Sequence, residues 1–136
     1  MAVVSELIAL ENGNSLGFGD YTLPEKSKKS DFPFDGDLYK IKTFKGITKL
    51  EKNGLFVYES DPGTAVHDFI ADANGVSFKV EGYADSQITL ELEPECEYEI
   101  TVGESVSSMK TNLGGKLTFS ATLDEGSVIE VKVKKA

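Results

Sequence analysis

Residues 88–102 read ITLELEPECEYEITV and alternate between apolar and polar side chains along almost their whole length. Successive side chains of a β-strand point to opposite faces of a sheet, so this alternation predicts two strands that each bury one face. A turn at Pro94-Glu95-Cys96 would join them as a hairpin. Its buried face would pair Leu92 with Tyr98, Leu90 with Ile100, and Ile88 with Val102. A slip of one residue would bury glutamates, so the register is strongly specified.

The same period of two runs through the rest of the chain. Leu117 to Leu123 and Ile129 to Val133 alternate in the same way around Asp124-Glu125-Gly126, and predict a second pair of strands with a turn between them. The full set of candidate strands is Val3–Leu10, Leu38–Phe44, Gly46–Lys52, Leu55–Glu59, Ala65–Ile70, Val76–Val80, Gln87–Glu93, Glu97–Val102, Val106–Lys110, Lys116–Thr122 and Val128–Lys134. This pattern favours an all-β fold, an antiparallel β-sandwich or jelly roll of about 10–11 short strands.

The chain has 136 residues, of which 40% are hydrophobic, and this length suits one β domain over residues 1–136. A subdomain break near residue 80 is the alternative, because lysines are common from 26 to 52 and acids from 81 to 104. The segment 24–37 is polar and contains two prolines. It is expected to be a long surface loop, with Phe32 and Phe34 as anchors.

Charge excludes some functions. Acidic residues outnumber basic ones 23 to 14, the net charge is -9, and every basic residue is lysine. Nucleic-acid binding needs a basic surface, usually with arginine, so it is not expected. No apolar run reaches the roughly 20 residues of a membrane span. The first residues lack the basic start of a secretory signal, so we expect a cytoplasmic protein.

No residue carries a convincing catalytic pattern, and no cofactor is expected. His67, the single histidine, is followed by Asp68, which points to the opposite face of a strand and is badly placed to orient the ring. We therefore expect a surface or interface histidine. Cys96 lies between two glutamates, which disfavour its thiolate.

Four glutamates would form a ladder on the outer face of the predicted hairpin: Glu91, Glu93, Glu97 and Glu99. Like charges directly opposite each other destabilise a sheet, so something should offset them. The first explanation is neighbouring lysines, with these candidates: Lys110, Lys116, Lys132 and Lys134. The alternatives are a bound divalent cation and lysines from another subunit.

Two stretches carry a resemblance to known proteins. Residues 47–60 read ITKLEKNGLFVYES and lead into PGTAV at 62–66, and residues 109–117 read MKTNLGGKL. The chain resembles small all-β bacterial proteins often labelled endosialidase, and the second stretch also resembles accessory β-sandwich modules of carbohydrate-active enzymes. Sialidases generally hold their substrate with arginines, which this chain lacks. The resemblance therefore implies a β module of the kind attached to sugar-handling proteins, with no catalytic residue.

Three hypotheses of function follow. The first is a non-catalytic domain that acts through self-assembly or protein contacts, as a homo-oligomer. Its candidate interface residues are Lys26, Lys28, Lys29, Phe32 and Phe34. The second is a carbohydrate-binding module, with a glycan partner and these candidate tyrosines: Tyr21, Tyr39, Tyr58 and Tyr83. The third is an acid-pair glycoside hydrolase.

Overall fold

The computed structural model describes residues 3–136, which form two antiparallel β-sheets packed face to face. The predicted all-β fold is confirmed. The strands are β1 (Ile8–Glu11), β2 (Ser15–Phe18), β3 (Ser27–Phe34), β4 (Asp37–Phe44), β5 (Ile47–Lys52), β6 (Leu55–Asp61), β7 (Thr64–Asp72), β8 (Gly75–Gly82), β9 (Ser86–Glu91), β10 (Glu97–Val102), β11 (Ser105–Lys110), β12 (Lys116–Ala121) and β13 (Val128–Lys135). Where the sequence predicted a first strand Val3–Leu10, a 3-10 turn at Ser5–Leu7 precedes a shorter β1.

The two sheets differ by one strand. The seven-stranded sheet has the order β1-β2-β7-β8-β13-β10-β11, and the six-stranded sheet has the order β12-β9-β6-β5-β4-β3. Strand β1 contacts β3 and strand β5 contacts β7 across the interface between the sheets. The edge that ends in β1 therefore lies over the edge that ends in β3. The surplus strand is therefore β11, at the far edge. Residue 80, where the charge composition changes, lies inside β8, and each sheet contains strands from both sides of it.

Aromatic rings from both sheets meet in the core. The Tyr58 ring on β6 lies edge-on to Phe18 on β2 and to Phe78 on β8, with centroid distances of 5.2 and 5.7 Å. Such edge-to-face pairs add to the free energy gained by burial. The residues that the alternation places on inner faces belong to this core or pack against it: Leu90, Leu92, Tyr98, Ile100, Leu117, Phe119, Val131 and Val133.

The predicted hairpin over residues 88–102 is wrong, although its inner face is right. Strand β9 pairs with β6 and β12, whereas β10 pairs with β11 and β13. The two strands thus lie in opposite sheets, and the connection from Leu92 to Cys96 crosses between them. Alternation specifies which side chains face the core, but it does not specify which strand lies alongside.

The predicted pair around residues 124–126 fails in the same way. Strand β12 belongs to the six-stranded sheet and β13 to the seven-stranded sheet. Leu123, in the connection between them, is buried in the core. A connection that crosses between sheets and buries an apolar residue continues the alternation of the strand before it. Its sequence is therefore the same as that of a longer strand followed by a tight turn, and periodicity alone does not distinguish the two.

The predicted surface loop 24–37 is wrong over most of its length, because Ser27–Phe34 forms β3, an edge strand paired with β4. A bulge between Lys29 and Phe32 interrupts its pairing, and Asp31 within it has a φ of 59°. Proline, lysines and bulges are the features that protect an edge strand from further pairing, and they also disguise it as a loop. The four-residue β2, SLGF, was missed because it is short.

The remaining predicted strands begin and end within two residues of the observed ones. Within residues 3–136, no helix has the length and apolar character needed to cross a membrane.

Candidate functional site

The four candidate tyrosines do not form one site. Tyr58 is wrong as a ligand-binding residue, because its side chain is fully buried and its hydroxyl lies 2.8 Å from the hydroxyl of Thr64. Burial raises the pKa of Tyr58. Tyr39 is also buried, on the inner face of β4, but it borders a cleft. Tyr98 is buried, as the sequence predicted.

Tyr21 and Tyr83 lie together at the other end of the sandwich. Their ring centroids are 6.0 Å apart, and both side chains are half-buried. The Tyr83 hydroxyl donates to the Lys45 carbonyl at 2.9 Å, and the Lys45 ammonium lies 5.6 Å from the Tyr83 centroid. The pair is thus already engaged within the chain, which reduces the ring surface that it offers to a sugar.

A cleft of about 520 Å³ opens between the two sheets beside the β3–β4 and β5–β6 turns. Apolar and aromatic side chains form its walls, from both sheets: Leu16, Phe34, Tyr39, Leu55, Phe56, Val57, Phe69 and Ile70. Polar groups lie among them, chiefly Asp35, Asp37, Asn53 and Glu91. An apolar pocket with a few polar groups is the usual form of a small-ligand site.

The cleft's polar rim is partly held in place by the turns that build it. The Asn53 amide donates to Asp37 at 2.8 Å, and the Lys52 ammonium lies 3.6 Å from the same carboxylate. The Asn53 side-chain oxygen accepts from the backbone N–H of Leu38 at 3.0 Å. These contacts occupy part of Asp37. Asp35 is exposed in the neighbouring turn.

The glutamate ladder, Glu91, Glu93, Glu97 and Glu99, does not converge on one point. Glu91 is the last residue of β9 in the six-stranded sheet, Glu93 lies in the connection that crosses between the sheets, and the last two members lie on β10 in the seven-stranded sheet. Every member has a lysine beside it: Glu91 faces Lys116, Glu97 faces Lys110, Glu99 faces Lys134, and Glu93 forms an ion pair with Lys135. Three of the candidate lysines, Lys110, Lys116 and Lys134, thus lie directly opposite a glutamate, and Glu93 pairs with Lys135, which was not a candidate. That these lysines offset the repulsion stays a prediction. In residues 3–136, no three metal-binding side chains come together as a metal site would need.

Lysines face lysines on the outer face of the six-stranded sheet. Strand register places Lys42 directly between Lys28 on β3 and Lys49 on β5. We call these three residues the lysine row. The pKa of Lys42 lies below its ordinary value, first because of the positive charge of Lys26, and then because of partial burial and the other lysines. Lys49, at the end of the row, has acids beside it: its ammonium lies 3.8 Å from Glu51, and strand register places Glu59 on β6 directly opposite it.

The five candidate interface residues lie on β3 or just before it, and they point to different faces of the six-stranded sheet. Lys28 belongs to the lysine row, and Lys26 approaches the ring of Phe44. Phe32 and Phe34 instead pack against the core from the inner side. Lys29 reaches back over the Phe32 ring at 5.8 Å. Lys26 and Lys28 therefore do not share a surface with Phe32 and Phe34, and an interface at these residues stays a prediction.

His67 is buried, so the expectation of a surface histidine is wrong, whereas the alternative of an interface histidine stays a prediction. Its Nδ1 lies 2.9 Å from the Glu11 carboxylate, and its Nε2 lies 3.7 Å from Glu81, which is only 2% exposed. The Asp68 carboxylate accepts from Asn12 and lies 3.4 Å from Lys79. This cluster connects β1, β7 and β8 side chain to side chain. No sequence signal joined Glu11 to His67, because 56 residues separate them.

Strand β11 is the most exposed element of the sandwich, since all six of its residues are exposed. Val106 and Met109 are its apolar members, at 64% and 37% exposure. Within residues 3–136 it pairs with β10 alone, because it is the last strand of the seven-stranded sheet. Exposed backbone groups on an unprotected edge form a ready template for pairing with another chain.

No family model, curated protein or solved structure matches this chain. The resemblance to endosialidase-labelled proteins and to accessory sugar-enzyme modules stays a prediction.

Proposed function

We propose that this protein is a non-catalytic β-sandwich domain that acts through self-assembly and protein contacts, with β11 as the contacting edge. The observation that carries the proposal is the exposure of the whole strand on both faces. Natural β proteins protect their edges, and a long unprotected edge marks a place where another strand binds.

Two of the other three edges strengthen this assignment, and the third, β12, differs from β11 because every second residue of it is buried. Strand β3 carries Pro33, a bulge and two lysines, and β1 is only four residues long. These are the devices that prevent edge pairing. Strand β11 has neither proline nor bulge, and its one lysine is the last residue.

The native mass of the full chain tests the proposal. Light scattering at micromolar concentration in low salt should give a dimer or a larger homo-oligomer. A monomer under those conditions would overturn self-assembly. The cytoplasmic location expected from the sequence stays a prediction.

Carbohydrate binding is the second candidate, and the cleft between the sheets favours it. Aromatic walls with carboxylate and amide groups suit the apolar face and the hydroxyls of a sugar. Titration of isotope-labelled protein with oligosaccharides should then shift the signals of Asp35, Asn53 and Phe34. Tyr83→Phe, at the opposite end, is the control variant and should bind normally, whereas Phe34→Ala should weaken binding. Shifts at Tyr21 and Tyr83 alone would contradict a site in the cleft.

A further inference from the structure

The backbone of β11 presents its free hydrogen-bonding groups at alternate residues. The loop between β10 and β11 has two residues, Gly103-Glu104, and the φ of 61° at Gly103 fits a type II′ turn. The residues that flank such a turn, Val102 and Ser105, exchange both of their hydrogen bonds. From there the pattern alternates along β11. Ser107 and Met109 therefore also bond to β10.

Three residues of β11 thus direct their N–H and C=O groups away from β10: Val106, Ser108 and Lys110. Their side chains lie on the outer face of the sheet, where Lys110 faces Glu97. A strand that binds here needs free groups at the same spacing. A second copy of β11 has them.

Symmetry restricts how two copies of β11 can pair. Antiparallel pairing of identical strands in one sheet needs a two-fold axis perpendicular to that sheet, so the same face points the same way in both copies. Two residues that bond across the axis must then be both even-numbered or both odd-numbered, and the free groups of β11 are on even-numbered residues in each copy. The geometry of the edge therefore permits self-pairing without a break in the hydrogen-bond ladder.

Charge selects one register among those allowed. With Ser107 opposite Ser107 of the second copy, Val106 lies opposite Ser108, and Lys110 lies opposite Glu104. Glu104 is in the β10–β11 turn, where its own sheet places no strand opposite it. A shift of one step toward Lys110 would put Val106 opposite an ammonium group. A shift the other way would place Lys110 beyond the partner strand, opposite Val102.

We propose that two copies of this chain join by antiparallel pairing of their β11 strands about a two-fold axis at Ser107, so that the two seven-stranded sheets become continuous. This inference rests on the proposed function, since it names the partner and the register of that same edge. Opposite charges across strands stabilise such pairs, and the two-fold axis makes the Lys110–Glu104 pair occur twice.

Cysteine cross-linking tests the register. In a Cys96→Ser background, Ser107→Cys should form a disulfide-linked dimer on mild oxidation, because a non-hydrogen-bonded pair brings the two Cα atoms within disulfide range. Ser105→Cys is the matched control, one pleat away on the same face, and should give little cross-link. The double variant Ser105→Cys with Met109→Cys should cross-link again, because these two residues face each other across the interface.

A charge exchange tests the pairing in solution. Lys110→Glu and Glu104→Lys should each weaken self-association by about tenfold or more, and the double exchange should restore it. Lys132→Glu makes the same change on β13, inside the same sheet and away from its edge, and should leave the native mass unchanged.

The outcomes separate this inference from the function beneath it. A wild-type monomer would overturn both. A wild-type oligomer whose mass is insensitive to Lys110→Glu would overturn the β11 pairing and leave self-assembly standing. Equal cross-linking of Ser105→Cys and Ser107→Cys would also overturn the register, since it would indicate random collision.

Discussion

The glutamate ladder and the lysine row make opposite uses of like charges. The ladder places four acids within nine residues of sequence, yet each one lies beside a lysine from another strand or from the end of β13. The lysine row joins Lys28, Lys42 and Lys49, which are spread over 22 residues, and it sets them directly opposite one another. Charge density along a chain is thus a poor guide to charge density on a sheet, because the nearest neighbours come from other strands.

The largest expected change in the free energy of unfolding comes from the core-facing side of the sheets, which holds both charged regions in place. Phe119→Ala removes a buried ring from β12, opposite Ile88 on β9, and should lower the free energy of unfolding by about 3–5 kcal/mol. Ser120→Ala, on the outer face of the same strand, is the control and should change it by less than about 0.5 kcal/mol. Denaturant unfolding measures both. A loss below about 1 kcal/mol for Phe119→Ala would mean that β12 faces the other way.

Reversal of one charge in each region tests the comparison directly. Lys42→Glu converts two like-charge neighbours into opposite ones and should raise the free energy of unfolding by about 1 kcal/mol. Lys134→Glu makes the same chemical change opposite Glu99, and it should lower the free energy of unfolding by a similar or smaller amount. Chemical denaturation gives both values. Changes of the same sign would show that register does not govern these charges.

Salt should act on the two regions in opposite directions. At about 1 M salt the screening length falls to about 3 Å, so repulsion within the lysine row is largely removed. The stabilising effect of Lys42→Glu should then shrink to a few tenths of a kcal/mol, and so should the destabilising effect of Lys134→Glu. An advantage of Lys42→Glu that is independent of salt would point to packing instead of charge.

The smallest effect is the titration of Glu93. Its hydrogen bond and charge contact with Lys135 hold the pKa of the Glu93 carboxyl below its ordinary value. The contact stabilises the fold above the unfolded pKa and is lost as the pH falls through the lower, folded pKa. Carbon-detected titration should show this lowered pKa, and Lys135→Met should return it toward the ordinary value. An unchanged titration in Lys135→Met would assign the shift to another cause.

The sequence predicted correctly which side chains face the core, but it predicted wrongly which strands lie side by side, and the reason is physical. Burial acts on each side chain separately, so the alternation of Leu90, Tyr98 and Phe119 with polar residues was enough to place them in the core. Pairing depends on two distant strands at once. The same limit hid the contact between His67 and Glu11, and it hid the cleft, whose walls come from seven strands. Strand β3 was missed because its proline, its lysines and its bulge are also features of a loop.

The position of β13 has a consequence for the order in which the sheet is completed. Strand β13 is the last of the thirteen to leave the ribosome, yet it lies between β8 and β10 and bonds to both. Until it is made, the seven-stranded sheet exists as two pieces, β1-β2-β7-β8 and β10-β11, with two facing edges open. A nascent chain that lacks Val128–Lys135 therefore carries a strand-wide slot in the middle of its larger sheet. Any β-strand in reach competes for that slot during synthesis.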